Sequence, residues 1–174
     1  MPVTPFHMIA GVAIKSIKPI YFSWTVFALA NIFIDTEAVY YYLTTGVPAH
    51  KYFHTWIGAS IIAILCATLG KYICELGLKI FNFIFLNKNY SLKLRRFQFK
   101  TKINNLSSWS GAFIGAYSHI FLDSFVNLDM QPYFPFSKQN HLLGLISLNN
   151  LYLLCIALFI IGIVIWTVKI LTNK

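Results

Sequence analysis

Residues 107–126 read SSWSGAFIGAYSHIFLDSFV. A helix over this run, at about 1.5 Å per residue, is long enough to cross the hydrocarbon layer of a bilayer. Its small and polar residues are not scattered. Ser108, Ala112, Gly115, His119 and Asp123 recur at i, i+3/i+4 spacing and share one face. Gly111 and Gly115 form a small-xxx-small pair that allows close helix contact. His119 and Asp123 therefore turn toward partner helices and not toward lipid.

The rest of the chain supplies those partners. Of 174 residues, 57% are hydrophobic, 17% aromatic and only 11% charged, where a soluble domain would carry about a quarter charged residues. A first span is predicted over residues 20–43, ending in an interfacial belt of Tyr40, Tyr41 and Tyr42. Thr44, Thr45 and Gly46 make a turn, and Pro48 is placed to open the next helix. A second span starts near Trp56 and continues past Lys71. Lys71, Glu75 and Lys79 then form a charge ladder on a helix emerging into the interface. A fourth span covers residues 151–171. Ahead of them all, residues 6–14 are apolar but too few to cross, which suits a half-membrane helix. The expectation is an all-α integral membrane bundle of about four transmembrane helices plus that short N-terminal helix, built as one domain over residues 1–174.

The net charge of +9 comes largely from one loop, about residues 87–106, holding Lys88, Lys93, Arg95, Arg96, Lys100 and Lys102. A basic loop between apolar runs marks a cytoplasmic face, and speaks against nucleic acid as the partner. Both termini then lie on the cytoplasmic side, with Lys15, Lys18, Lys169 and Lys174 in agreement. The loops around His50 and His141 face outward. Cys66, Cys74 and Cys155 fall inside apolar runs without metal-site spacing and read as small buried hydrophobes.

Nine of the ten His, Asp and Glu residues fall in four segments, and only Glu75 lies elsewhere. Ionisable groups inside a span are expensive and point to function. Counted along helices from the basic side, His7 lies roughly 16 Å up, His119 about 18 Å, Asp35 about 22 Å and Asp123 about 24 Å. His54 starts the second span from the outer side. The metal candidates are His7, Asp35, His50, His54, His119 and Asp123, converging in the outer half of the bundle. Imidazole and carboxylate together suit zinc, manganese or iron, and His119 and Asp123 can chelate from one helix face. Glu37, two residues past Asp35, points to another side. Glu37 and Asp129 are the candidates for a catalytic base acting on a metal-activated water.

The segments TPFHMIAGVAIKS, NIFIDTEAVYYYL, PAHKYFHTWIGA and GAYSHIFLDSFVNLDMQPYFPFS, followed by HLLGLISL, resemble the LexA-regulated, membrane-bound metal-dependent hydrolase-like proteins. The resemblance covers most of the chain except the basic loop. It implies a site of His7, Asp35, His54, His119 and Asp123, with Glu37 and His50 as neighbours. Here the acidic element is Asp35-Thr36-Glu37 in place of Asp-x-Asp, and three residues separate His50 from His54. The order of ligands is also similar to the zinc-dependent phospholipase C and P1 nuclease type. The later His-x-x-x-Glu of that pattern is missing, since Leu145 stands four residues after His141.

Together these readings predict a metal-dependent hydrolase embedded in the cell membrane and acting on a lipid or phosphate ester. Two other classes fit the same polar cluster: a metal- or ion-handling transporter, and a structural protein in which the cluster fixes helix packing.

Overall fold

The computed structural model describes residues 4–85 and 99–172. Lys88, Lys93, Arg95, Arg96 and Lys174 lie outside the described residues. Within them the chain forms five helices and no strand: α1 (Thr4–Ile17), α2 (Trp24–Thr45), α3 (Trp56–Phe85), α4 (Asn105–Asp123) and α5 (Leu148–Thr172).

Local chemistry sets the helix ends. Ser23 caps α2 by accepting from the Val26 amide, Thr55 caps α3 through Gly58, and Asn104 caps α4 through Ser107. Gly46 closes α2 at φ 78°, its amide donating to the Tyr42 carbonyl. The second helix opens at Trp56, not at Pro48. His50 and His54 consequently lie in a loop ahead of α3 and do not share a helical face. Midway along α3, Cys66–Gly70 forms a π-turn, and the Ala67 carbonyl there accepts the buried Ser108 hydroxyl at 2.8 Å.

The glycines of α4 permit the closest packing in the bundle. A Cβ at Gly115 would stand 2.7 Å from the Phe27 carbonyl oxygen, and one at Gly111 would overlap the Ser23 carbonyl. Thus α4 lies directly against α2, with the first half of α3 completing an apolar core of Val26, Ala30, Ile34, Ala63, Ala112 and Ala116. On the other side α1 packs on α5, where Gly162 leaves room for the Ala13 backbone. Lys169 donates to the Ser16 and Ile17 carbonyls at 2.8 and 3.0 Å, and so satisfies the C-terminal end of α1. The ladder residues of α3 reach across to the segment before α4: Lys71 donates to Asn105, and Glu75 accepts from the Ile103 amide.

Two helices, α3 and α5, are long and apolar enough to cross a membrane. The expected four spans are therefore seen only in part. Helices α2 and α4 have 22 and 19 residues, but Asn31, Asp35 and Glu37 on one, and His119, Asp123 and a set of serines on the other, lower their hydropathy. The helices that carry the site have given up apolar positions to do so.

Candidate metal centre

Helices α2 and α4 run in the direction from the lysine-bearing end toward the polar end, and their neighbouring faces bring Asn31, Asp35, His119 and Asp123 together. The loop before α3 brings His54, and α1 begins at this end and contributes His7. Ligand atoms of Asp35, His54, His119 and Asp123 all lie within 4.8 Å of one another. The His119 Nε2 stands 3.3 Å from Asp35 Oδ1 and 3.5 Å from Asp123 Oδ2. His7 Nε2 is 3.4 Å from the other Asp123 oxygen, Oδ1, and His54 Nε2 is 3.8 Å from Asp35 Oδ1. The His7, His54, His119 and Asp123 residues are at most 1% exposed.

The histidines share a pattern. In His119 the Nδ1 meets Asn31 Oδ1 at 3.1 Å, and the Asn31 amide is fixed by donation to the Phe27 carbonyl. His54 Nδ1 meets Glu37 at 3.0 Å. His50 Nδ1 meets Asp129 at 2.8 Å. Each Nδ1 faces an oxygen that can accept, and a ring carrying its proton there has its Nε2 lone pair left for a ligand. Those three Nε2 atoms, and both nitrogens of His7, are buried without a hydrogen-bond partner, as is Asp123 Oδ1. Buried polar atoms of this kind are costly unless something satisfies them. An imidazole oriented through its outer nitrogen, with the inner one vacant, is the arrangement that metal-binding histidines adopt. The donor set of imidazole nitrogen and carboxylate oxygen could hold a metal ion.

Glu37 occupies a different position from Asp35, as the helix geometry required. Its carboxylate accepts the consecutive amides of Lys51, Tyr52 and Phe53 at 3.1, 2.7 and 3.0 Å besides His54 Nδ1. One side chain thus shapes the loop and aims the histidine. Asp129 takes both the His50 amide and the His50 ring. Burial tends to raise the Asp129 carboxyl, but those His50 donors prevail and hold it below the usual carboxylate range. Burial pushes His50 below the ordinary histidine value, reinforced by His54 and only partly opposed by Asp129. His50 is therefore neutral near pH 7, with Nε2 able to accept. His141 is exposed and does not fold over the site.

The His50 ring packs edge-on against His54, with centroids 4.5 Å apart. It also lines a cavity of about 380 Å³ between the two loops, bounded by Lys51, Tyr52, Asp129, Gln131 and Phe134. The residue that sequence reasoning left without a role is Asn31. Its signal was its place one turn before Asp35 on the same face. Comparison with protein-family models, curated proteins and solved structures finds no match for this chain.

Proposed function

We propose that the chain is a multi-pass membrane hydrolase whose metal ion is held by Asp35, His54, His119 and Asp123, with His7 completing the set. The observation that carries this reading is that the Nε2 atoms of His54 and His119, each with an acceptor on its Nδ1, converge with oxygens of Asp35 and Asp123 to within 4.8 Å of one another. A polar cluster that served only helix packing would satisfy its own hydrogen bonds. On this reading α2 and α4 also traverse the bilayer, shielded by α3, α5 and α1, and the site faces away from the cytoplasm.

A bound divalent ion of the zinc or manganese type would supply Lewis acidity and lower the pKa of a coordinated water. The chain's own residues do the rest. Glu37 and Asp129 have their oxygens engaged by the loop they organise, so they act as positioning residues for His54 and His50. His50, which lines the cavity and packs edge-on against His54, is the candidate for proton transfer with the substrate. Lys51 carries positive charge at the mouth, 4.3 Å over the Tyr41 ring, and Tyr52 and Phe134 add apolar surface. A phosphate or carboxylic ester with an apolar tail matches that lining. An apolar layer that includes Ala30, Ile34, Ala63, Ala112 and Ala116 packs between α2, α3 and α4.

The test is elemental analysis of detergent-purified protein beside a His119→Ala/Asp123→Ala variant. Stoichiometric metal in the wild type and none in a still-helical variant is expected. An absence of metal in the wild type, even after dialysis against zinc and manganese, would overturn the reading.

A further inference from the structure

The end of the molecule opposite the metal centre carries a second cavity, about 770 Å³ in volume. Lys15, Lys100 and Lys102 line it, and among the described residues none of its lining is acidic. The neighbouring acid, Glu75, is turned to the Ile103 amide. Lys15 is held in place by donating to the Pro19 and Phe22 carbonyls at 2.7 and 2.8 Å, which leaves one ammonium hydrogen for a ligand. The first turns of both α2 and α4 also open here, since Ser23, Thr25, Asn104 and Ser107 belong to the lining. Two helix N-termini add their positive dipole ends to the three lysines. The remaining wall is apolar, formed by side chains that include Trp24, Leu78 and Phe99.

A cavity lined by three lysines, by the first turns of two helices and by apolar side chains including Trp24 and Phe99 suits an anion attached to hydrocarbon. We propose that it binds the phosphate head group of an acidic phospholipid, with Lys100 and Lys102 on the phosphate and the acyl chain along Trp24 and Leu78. This inference rests on the membrane reading of the chain and is independent of the metal centre. Basic pockets between membrane helices recognise head groups by the same physics. The bound lipid would bridge α2, α3 and the segment before α4, and so tie together the helices that carry Asp35, Asp123 and His119.

Native mass spectrometry of the full-length protein, purified from mixed phosphatidylglycerol and phosphatidylcholine micelles, tests the proposal. The wild type is expected to retain one phosphatidylglycerol in preference to phosphatidylcholine. Lys100→Gln/Lys102→Gln should weaken retention by on the order of thirtyfold. Lys100→Arg/Lys102→Arg should keep it, and Lys138→Gln at the opposite end should leave it unchanged. Displacement of the lipid by millimolar inorganic phosphate would support the phosphate as the recognised group. Equal retention of both lipids, or equal loss in Lys138→Gln, would overturn the site. Phosphate binding by protein that keeps no phosphatidylglycerol would overturn the lipid assignment. A thermal melt of each variant separates lost binding from lost folding.

Discussion

At the scale of single residues, the groups behind the proposed ligands matter as much as the ligands. Glu37 reaches no other member of the four-residue cluster than His54, yet it fixes that ring and three amides of the loop beside it. Glu37→Gln replaces one carboxylate oxygen by an NH₂ group, which cannot accept and faces donors. Loss of such an outer partner costs metal affinity about 10–100-fold. Chelator competition with a zinc indicator should show that drop, with helix content by circular dichroism unchanged. Unaltered affinity would mean that His54 is not a ligand. The sequence made Asp35 and Glu37 visible as a pair and correctly separated their directions, because two residues turn a helix through more than half a circle. It did not reveal what Glu37 grips, since the grip is on backbone amides fourteen to sixteen residues away. Amides have no signature in a sequence.

At the scale of elements, the close approach of α2 and α4 sets the distance between Asp35 and the His119–Asp123 pair. Gly115→Leu puts a side chain where the Phe27 backbone already stands 2.7 Å from the Cβ position. The helices must separate, at a cost of about 1–3 kcal/mol. Metal content and thermal stability in detergent should therefore fall together. Gly77→Ala, at a helical position with nothing within 4 Å of the added carbon, should leave both intact and provides the control. A Gly115→Leu protein with full metal occupancy would show that the site does not depend on this contact. The stripe of small residues was readable in advance because helical periodicity alone places Ser108, Ala112, Gly115, His119 and Asp123 together. The π-turn at Cys66–Gly70 was not. It inserts into an unbroken apolar run, and its partner Ser108 is forty-one residues away. The start of α3 at Trp56 was readable, but the shape of the loop before it was not. Pro48 is a good first residue for a helix, but the carboxylates of Glu37 and Asp129 hold the backbone of 50–53 in another shape until Thr55 can cap.

At the scale of the whole molecule, polar chemistry and positive charge are placed at opposite ends, with apolar surface between. Side chains such as Leu69, Tyr72, Ile73, Leu76 and Phe83 on α3, and Leu153, Ile160, Val164 and Trp166 on α5, stay well exposed. Water would penalise a continuous apolar surface of this extent, whereas lipid accepts it. Lys15, Lys100, Lys102 and Lys169 gather at one end, and loops with few lysines close the other, so the proposed membrane reading predicts by the positive-inside rule that the lysine-bearing end faces the cytoplasm. The expected outcome is therefore sided. In a background with Cys66, Cys74 and Cys155 replaced by alanine, a cysteine at Leu128, which is 87% exposed beside the metal centre, should react with a membrane-impermeant maleimide on intact cells. A cysteine at Lys102 should react only after permeabilisation. The reverse pattern would place the metal centre on the cytoplasmic side, where substrates and metal supply differ. Labelling of both positions on intact cells would show that the chain does not separate two compartments, and would remove the bilayer from the argument for its function.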